Sequence, residues 1–436
     1  MSSTIKTQSN ILSKLNIEQL NPMQEEAQQV ISKNSDVVLL SPTGSGKTLA
    51  FLLPIIADLD KNCDEIQVLI LVPTRELAMQ IEQVVREMGT GYKVNAVYGG
   101  RAGSKDKIDL KHRPAILIGT PGRVADRIYR DSFSLEHITT LVLDEFDKSL
   151  EVGFEKEMHE IITGLPNIKR RILTSATQKL TIPEFVGLRN PTYINYLADG
   201  VSQLKVKIVV SPDKNKLGTL LDTLCHIGNE PGIIFCNFKD TIQEVSDFLT
   251  DNHVSHGCFY GGMEQIDRER ALMKFRNGTH QLLIATDLAA RGIDIPELKF
   301  IIHYQLPHRK EEFIHRNGRT ARMNSDGTAY VLKWKNELLQ EFITNAEVEE
   351  LVKAPIPKPS KWTTVYLSGG RKDKISKGDI AGLCCKQGNI SNDEIGIIEI
   401  KQDCAFVAIN SKKATQLVQL IDNSKLKTKK VRVSIV

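Results

Sequence analysis

Short apolar runs recur through the first 200 residues, at 37–40, 68–72, 115–118, 140–143 and 171–173. They are rich in Val, Ile and Leu, too short for an ordinary helix, and each ends in polar or Gly/Pro residues. Such runs read as strands buried on both faces. Stretches with helical spacing of apolar residues separate them, and strand–helix alternation is the pattern of an α/β layer on a parallel sheet. A second cycle starts near 205, with strand candidates at 205–210, 232–235, 256–259, 281–284, 300–303 and 327–332. Residues 353–361 carry three prolines and read as an extended, semi-rigid linker. Beyond it, runs at 363–367, 396–400, 404–409 and 430–435, with helical segments between them, predict a small α+β unit. The expected organisation is an α/β lobe over 1–200, a second over 201–352, the linker, and the small unit over 362–436. No repeat or low-complexity tract interrupts it.

Composition adds limits. The chain has 436 residues, 41% hydrophobic and 25% charged, ordinary for a soluble protein of roughly two to four domains. No apolar run approaches the ~18 residues that span a bilayer, and the polar N-terminus lacks the apolar core of a secretory signal. The cysteines at 63, 225, 236, 258, 384, 385 and 404 form no C-x-x-C pair. An odd, scattered set points to reduced thiols and a cytoplasmic setting, not to disulfides or a zinc site. The net charge of +4 is uneven. From Lys361 onward there are 14 Lys+Arg against 7 Asp+Glu, leaving 43 basic against 46 acidic side chains in the rest. A basic end on a mildly acidic body suggests a polyanionic partner.

The chemistry sits just after the apolar runs, where α/β sheets bind ligands. S-P-T-G-S-G-K-T at 41–48 follows one run and opens an apolar helix. Its glycines allow backbone N–H groups to face phosphate oxygens, and the helix N-terminus favours negative charge. Thr43, Gly44, Ser45 and Gly46 would form that cradle. Lys47 would reach the β/γ-phosphates, and the Thr48 hydroxyl would ligate Mg²⁺. The general pattern has Gly at position 41, where this chain has Ser41. Asp144 and Glu145 follow the run at 140–143. Asp144 suits a second Mg²⁺ contact, and Glu145 suits orientation and deprotonation of an attacking water. His315, Arg316, Arg319 and Arg322 form a basic cluster in the second lobe, with the arginines at spacings of three, near one face of a helix. Arginines of this kind stabilise charge on a transferring phosphoryl group.

With these strings in order, the chain resembles the DEAD-box RNA helicases of superfamily 2 over roughly residues 10–350. Asn21-Pro22-Met23-Gln24 resembles the Q motif, with Gln24 reading adenine. The string at 41–48 resembles motif I, D-E-F-D at 144–147 motif II, and S-A-T at 175–177 motif III, which couples hydrolysis to unwinding. Pro73-Thr74-Arg75-Glu76-Leu77, Gly99-Gly100 and Thr120-Pro121-Gly122-Arg123 resemble the elements that hold the RNA backbone. In the second lobe, 233–237 resembles motif IV, Gln265 and Arg268 the Q-x-x-R element, A-T-D-L-A-A-R-G-I-D at 285–294 motif V, and H-R-N-G-R-T-A-R at 315–322 motif VI.

The resemblance implies two RecA-like lobes with ATP and Mg²⁺ as cofactors and RNA as partner. It makes Arg319 and Arg322 the arginine fingers and puts Gly292 and Asp294 near the nucleotide, Asp294 at the ribose. Thr286 and Asp287 would lie on the RNA side of motif V, and His315 would bridge motif VI to motifs II and III. Four positions depart from the family. Phe146 replaces Ala and is expected to pack away from the metal, because alternate residues at a strand end point to opposite faces. Asn21 replaces Thr, Ala321 replaces Gly, and Ile17 replaces the aromatic before the Q motif, leaving adenine without its stacking partner.

The end of the chain, from V-Y-L-S-G-G-R-K-D-K-I-S-K-G-D-I through G-I-I-E-I to A-F-V-A-I, resembles the DbpA-type RNA-binding domain of a bacterial branch of the family, which is RRM-like. Tyr366 and Phe406 would stack bases if both stood on an exposed sheet face. A core place for Phe406 is the preferred reading, with Lys425, Lys427, Lys429, Lys430 and Arg432 binding phosphates. The expected function is RNA-stimulated ATP hydrolysis coupled to separation of short RNA duplexes, in assembly of the large ribosomal subunit. ATP and RNA are expected to close the lobes. An ATP-gated RNA clamp with little strand separation is the alternative, and a DNA helicase a third reading.

Overall fold

The computed structural model describes residues 8–100, 103–177, 181–197, 204–287, 298–320 and 326–436. The chain divides near residue 202 into two units.

The first unit carries seven parallel strands. They are β1 (Asp36–Leu40), β2 (Val68–Leu71), β3 (Val94–Val97), β4 (Ile116–Gly119), β5 (Thr140–Leu143), β6 (Arg170–Ser175) and β7 (Thr192–Asn195). Their order is β3-β4-β2-β5-β6-β1-β7. All residues of β1, β2, β4 and β5 are buried, because helices cover both faces, which is why these strands are continuous apolar runs. β3 and β7 are the two strands that periodicity does not reveal. Both are sheet edges, and Asn95, Thr192 and Asn195 break their apolar pattern. Position in the sheet then fixes what meets what. β6 lies between β1 and β5, pairing Leu143 with Leu173 on one side and Leu40 with Ser175 on the other. The loops after β1, β5 and β6 therefore emerge side by side.

The second unit opens with another seven-stranded parallel sheet. Its strands are β8 (Leu204–Ser211), β9 (Gly232–Phe235), β10 (His256–Phe259), β11 (Leu282–Ala285), β12 (Phe300–His303), β13 (Gly327–Trp334) and β14 (Ala346–Val348). The order β10-β11-β9-β12-β13-β8-β14 repeats the arrangement of the first sheet. Again the unforeseen strand, β14, is an edge. Two tandem parallel-sheet lobes, as expected, precede a small α+β unit.

That unit is a four-stranded antiparallel sheet, β16-β17-β15-β20, built from β15 (Trp362–Leu367), β16 (Ile395–Ile400), β17 (Ala405–Asn410) and β20 (Val433–Ile435). Helices Lys377–Lys386 and Ser411–Ile421 cover one face, where Val365, Leu367, Val407 and Ile409 meet Ile380, Leu383, Leu417 and Ile421. The single strand expected over 430–435 is instead two elements. Lys429–Lys430 (β19) pairs with Lys425–Leu426 (β18) as a separate ribbon, and only Val433–Ile435 joins the sheet.

Phe406 is buried, 7% exposed, as the preferred reading expects, but not in the cluster beneath the helices. It pairs across strands with Tyr366, rings 5.6 Å apart, on the face away from the helices. The end of helix Gln265–Arg276 and the turn after it, in the preceding lobe, lie against this face. Thr279 and Thr364 share a hydroxyl hydrogen bond of 2.7 Å, and Arg276 Nη1 donates to Glu399 Oε1 at 3.4 Å. The proline-rich linker runs along the same lobe: Lys358 N–H donates to Asn229 Oδ1 at 2.6 Å, and Ser360 Oγ donates to the Gly278 carbonyl.

Candidate functional site

Strand ends of the first unit assemble the nucleotide candidates. The loop after β1 turns through Gly44 (φ +83°) and Gly46 (φ +88°), a backbone region that favours glycine, into helix Lys47–Ala57. Lys47 Nζ donates to the carbonyls of Ser41 at 2.7 Å and Pro42 at 2.8 Å. Thr48 stands half-buried at the next position. Thr43 precedes the first glycine. Asn21 and Gln24 come to this loop from the start of helix Pro22–Lys33. Asn21 Oδ1 caps that helix by accepting from Gln24 N–H at 2.9 Å, while its Nδ2 donates to the Ser45 carbonyl at 3.0 Å. Gln24 Nε2 donates to the Gly46 carbonyl at 3.2 Å. Asn21 in place of the family's Thr thus acts both as helix cap and as tie to the loop.

Asp144, 3% exposed, extends β5 by one residue. Its Oδ1 accepts from Glu145 N–H at 3.1 Å and from Thr174 Oγ1. Burial pushes its carboxyl pKa up, opposed by the Thr174 hydrogen bond and the Lys47 charge. Glu145 follows with φ +48°, a left-handed conformation that is strained for a non-glycine residue and common at working sites. The backbone then enters helix Phe146–Glu151. Phe146 is fully buried in the core cluster that holds Leu143, Leu150 and Met158. Strand alternation does not account for this, because Phe146 stands two residues from Asp144 and opens a helix. Asp147 Oδ2 accepts from Thr177 Oγ1 at 3.1 Å, and Thr177 N–H donates to Ser175 Oγ at 3.0 Å, so motifs II and III are hydrogen-bonded together. Thr174, which sequence reasoning missed, is the residue that sets the Asp144 carboxylate. Its signal is faint: one polar residue at the end of the buried run Ile172–Leu173.

The Mg²⁺ expectation fits these groups. The Asp144 carboxylate and the Thr48 hydroxyl are oxygen donors of the kind a hard cation takes. No cluster of three or more His, Cys, Asp or Glu able to hold a metal occurs among the described residues. Water and phosphate oxygens would fill the remaining positions.

The first unit's RNA candidates lie at the ends of the adjacent strands β2 and β4. Pro73 and Thr74 lead into helix Arg75–Met88, where Thr74 Oγ1 accepts from Leu77 N–H at 3.2 Å. Thr120 and Pro121 open helix Pro121–Tyr129. Two helix N-termini side by side suit phosphate oxygens. A Cβ on Gly122 would meet nothing within 4 Å. Arg75 lies against Gly99 and Gly100, and a Cβ on Gly100 (φ +82°) would collide with Arg75 Nη1. Arg123 Nε donates to the fully buried Asp106 at 2.7 Å, a partner that the sequence did not disclose.

In the second unit, the expected helical face of arginines is not formed. The helix is Lys310–Asn317 and ends at Gly318, so Arg319 lies beyond it. Arg316 is a buried hub, 1% exposed. Its Nε and Nη2 donate to the two Asp287 carboxylate oxygens at 2.7 and 2.6 Å, Nη2 also to Asn237 Oδ1 at 2.7 Å, and Nη1 to the Gln305 carbonyl at 2.8 Å. The Asp287 carboxylate is therefore engaged with Arg316, and the neighbouring Thr286 N–H donates to the Phe259 carbonyl at 3.3 Å. His315 and Arg319 are both buried. Gln265 Nε2 donates to Glu269 at 3.2 Å, and the Arg268 guanidinium stacks over Phe259 at 4.5 Å. Gly292, Asp294, Ala321 and Arg322 lie outside the described residues. At the C-terminal edge, Lys425, Lys427, Lys430 and Arg432 are exposed. Lys427 pairs with Asp379 at 3.2 Å and Lys429 with Asp373 at 2.8 Å.

Residues 21–185 match the family model described as DEAD/DEAH box helicase, 215–324 the helicase conserved C-terminal domain, and 364–435 the DbpA RNA binding domain. The ATP-dependent RNA helicase DbpA of Bacillus subtilis (strain 168) is 33% identical, over 92% of this chain and 91% of its own. The chain belongs to the DEAD-box RNA helicases. Its DbpA-type ending is shared with the Escherichia coli (strain K12) DbpA, 30% identical over 95% of this chain and 94% of its own. The helicase fold is similar to Saccharomyces cerevisiae Dbp5 bound to RNA and ADP BeF3, with a TM-score of 0.68 at 24% identity, covering 78% of this chain and 93% of that one. As a DEAD-box protein it is an ATP-hydrolysing, RNA-binding enzyme. No helix among its described residues is long and apolar enough to cross a membrane.

Proposed function

We propose that this helicase couples RNA-stimulated ATP hydrolysis to local separation of short RNA duplexes. Gln24 reads adenine, the backbone at Thr43, Gly44, Ser45 and Gly46 holds phosphate, and Lys47 turns from its own loop carbonyls to the β/γ-phosphates. Thr48 and Asp144 would hold Mg²⁺, which when bound neutralises charge on the phosphate oxygens. Glu145 orients and deprotonates water, while Thr174 keeps the neighbouring Asp144 carboxylate in place. Arg319 and Arg322 of the second unit stabilise charge on the transferred phosphoryl group. The Asp147–Thr177–Ser175 hydrogen bonds carry the reading furthest, because they tie the hydrolytic strand end to the segment assigned to coupling. Glu145→Gln should retain ATP binding and lose RNA-stimulated phosphate release by about 10²–10⁴-fold. Normal hydrolysis by that variant would show that Glu145 is not the base. Duplex-displacement assays separate unwinding from clamping.

For the partner we propose structured ribosomal RNA in the cytoplasm, during assembly of the large subunit. The similarity of residues 364–435 to the DbpA RNA binding domain and the exposed basic edge at Lys425, Lys427, Lys430 and Arg432 support that choice.

A further inference from the structure

Ser41, the departure from the general phosphate-loop pattern, is 1% exposed and bonded through every polar atom it has. Its N–H donates to the Ser175 carbonyl at 3.1 Å, continuing the β1–β6 pairing. Its carbonyl accepts from Lys47 Nζ at 2.7 Å. Its hydroxyl, which glycine would lack, donates to Ser45 Oγ at 2.7 Å. Ser45 lies between the two left-handed glycines, Gly44 and Gly46, where the loop backbone has most freedom. From the other side, Asn21 Nδ2 holds the Ser45 carbonyl. Ser45 is thus gripped at its hydroxyl by Ser41 and at its carbonyl by Asn21, and neither grip passes through the Lys47 side chain.

We infer that Ser41 is a positioning residue for the nucleotide: its hydroxyl, with the Asn21 amide, fixes Ser45 so that the phosphate loop is ordered before phosphate arrives. The inference rests on the ATP-binding reading of this loop. A glycine-flanked residue left free would lose conformational freedom on binding, and that loss would weaken affinity. The grip removes it while Lys47 remains able to turn toward phosphate. Ser41 acts through Ser45 and touches no reacting atom.

Full-length wild type, Ser41→Ala, Ser45→Ala and the double variant are to be titrated with ADP by calorimetry, with ATPase kinetics at saturating RNA. Ser41→Ala should raise the ADP Kd and the ATP KM about 3- to 10-fold, the size of one lost hydrogen bond, with kcat held within about twofold. The double variant should be no worse than the worse single, because both remove one interaction. Asn21→Ser keeps a good helix cap but loses the amide donor, so it should raise the ADP Kd as well. It carries the test if Ser41→Ala does not fold. Unchanged affinity, effects that multiply in the double variant, or a loss confined to kcat would overturn the inference while leaving the ATP reading intact. A wild type that binds no ADP would overturn both.

Discussion

At the scale of single residues, the strand ends of the first unit that we propose to hold RNA depend on one absence. Gly100 adopts φ +82° and lies so close to the Arg75 guanidinium that a methyl group would collide with Nη1. Gly100→Ala therefore strains the backbone by about 1–2 kcal/mol and pushes Arg75 aside. The RNA concentration for half-maximal ATPase stimulation should rise about 5- to 10-fold, with ADP affinity unchanged. RNA titration of the ATPase beside ADP calorimetry checks both. Arg316 shows the opposite lesson. Its charge and spacing suggest a surface residue of a basic helix, but its four donated hydrogen bonds make it a structural centre. A buried arginine is tolerated because the Asp287 carboxylate faces it with matching geometry.

At the scale of elements, interior strands were legible and edges were not. A strand covered on both faces is apolar at nearly every position, whereas the edge strands admit Asn, Thr and Glu, at exposed or half-buried positions in β7 and β14 and at the buried Asn95 in β3. Element ends behave similarly. The spacing of Arg316 and Arg319 fits a helix, yet Gly318 ends it. Short helix Phe146–Glu151 depends on its first residue for anchorage, since Phe146 is buried in the core beside Leu143 and Met158. Phe146→Ala restores the residue usual in the family but opens a cavity in a core that has grown around phenylalanine. It should cost about 3–5 kcal/mol, read by urea unfolding, with hydrolysis per folded molecule retained at low temperature.

At the scale of the molecule, packing sets both the pH dependence and the surface left for RNA. Burial lowers the His303 pKa to about 3, helped by the Arg316 charge, and that of His280 to about 4, helped by Lys274. Both are neutral in the fold and protonate near 6.5 when unfolded. Their stabilisation is complete above pH 6.5 and is lost as pH falls toward 4, by about 2 kcal/mol per histidine at pH 5. The urea midpoint of the second unit should drop between pH 7.5 and 5. Replacing His280 by Gln should flatten that dependence. The aromatic face of the C-terminal sheet lies against the preceding lobe, so the basic edge is the surface we propose for phosphate contact. Neutralising Lys427 and Lys430 should weaken binding of structured RNA and reduce the slope of log K against log salt by about one per lysine. RNA titrations across salt concentrations check this, and an unchanged slope would remove these lysines from the interface.

Neighbours along the chain settle the local features: which runs become interior strands, and which loops carry phosphate, carboxylate and arginine chemistry. Periodicity and glycine placement are enough for those. Only the folded arrangement makes Thr174 set Asp144, Ser41 hold Ser45 and Arg316 bind Asp287, and puts Phe406 on the sheet face away from the helices. The Ser41 bond spans only four residues but needs the loop closed against β6. The Thr174 and Arg316 bonds join residues 30 and 29 positions apart. Such pairings are fixed by strand order and register, which one-dimensional spacing does not contain.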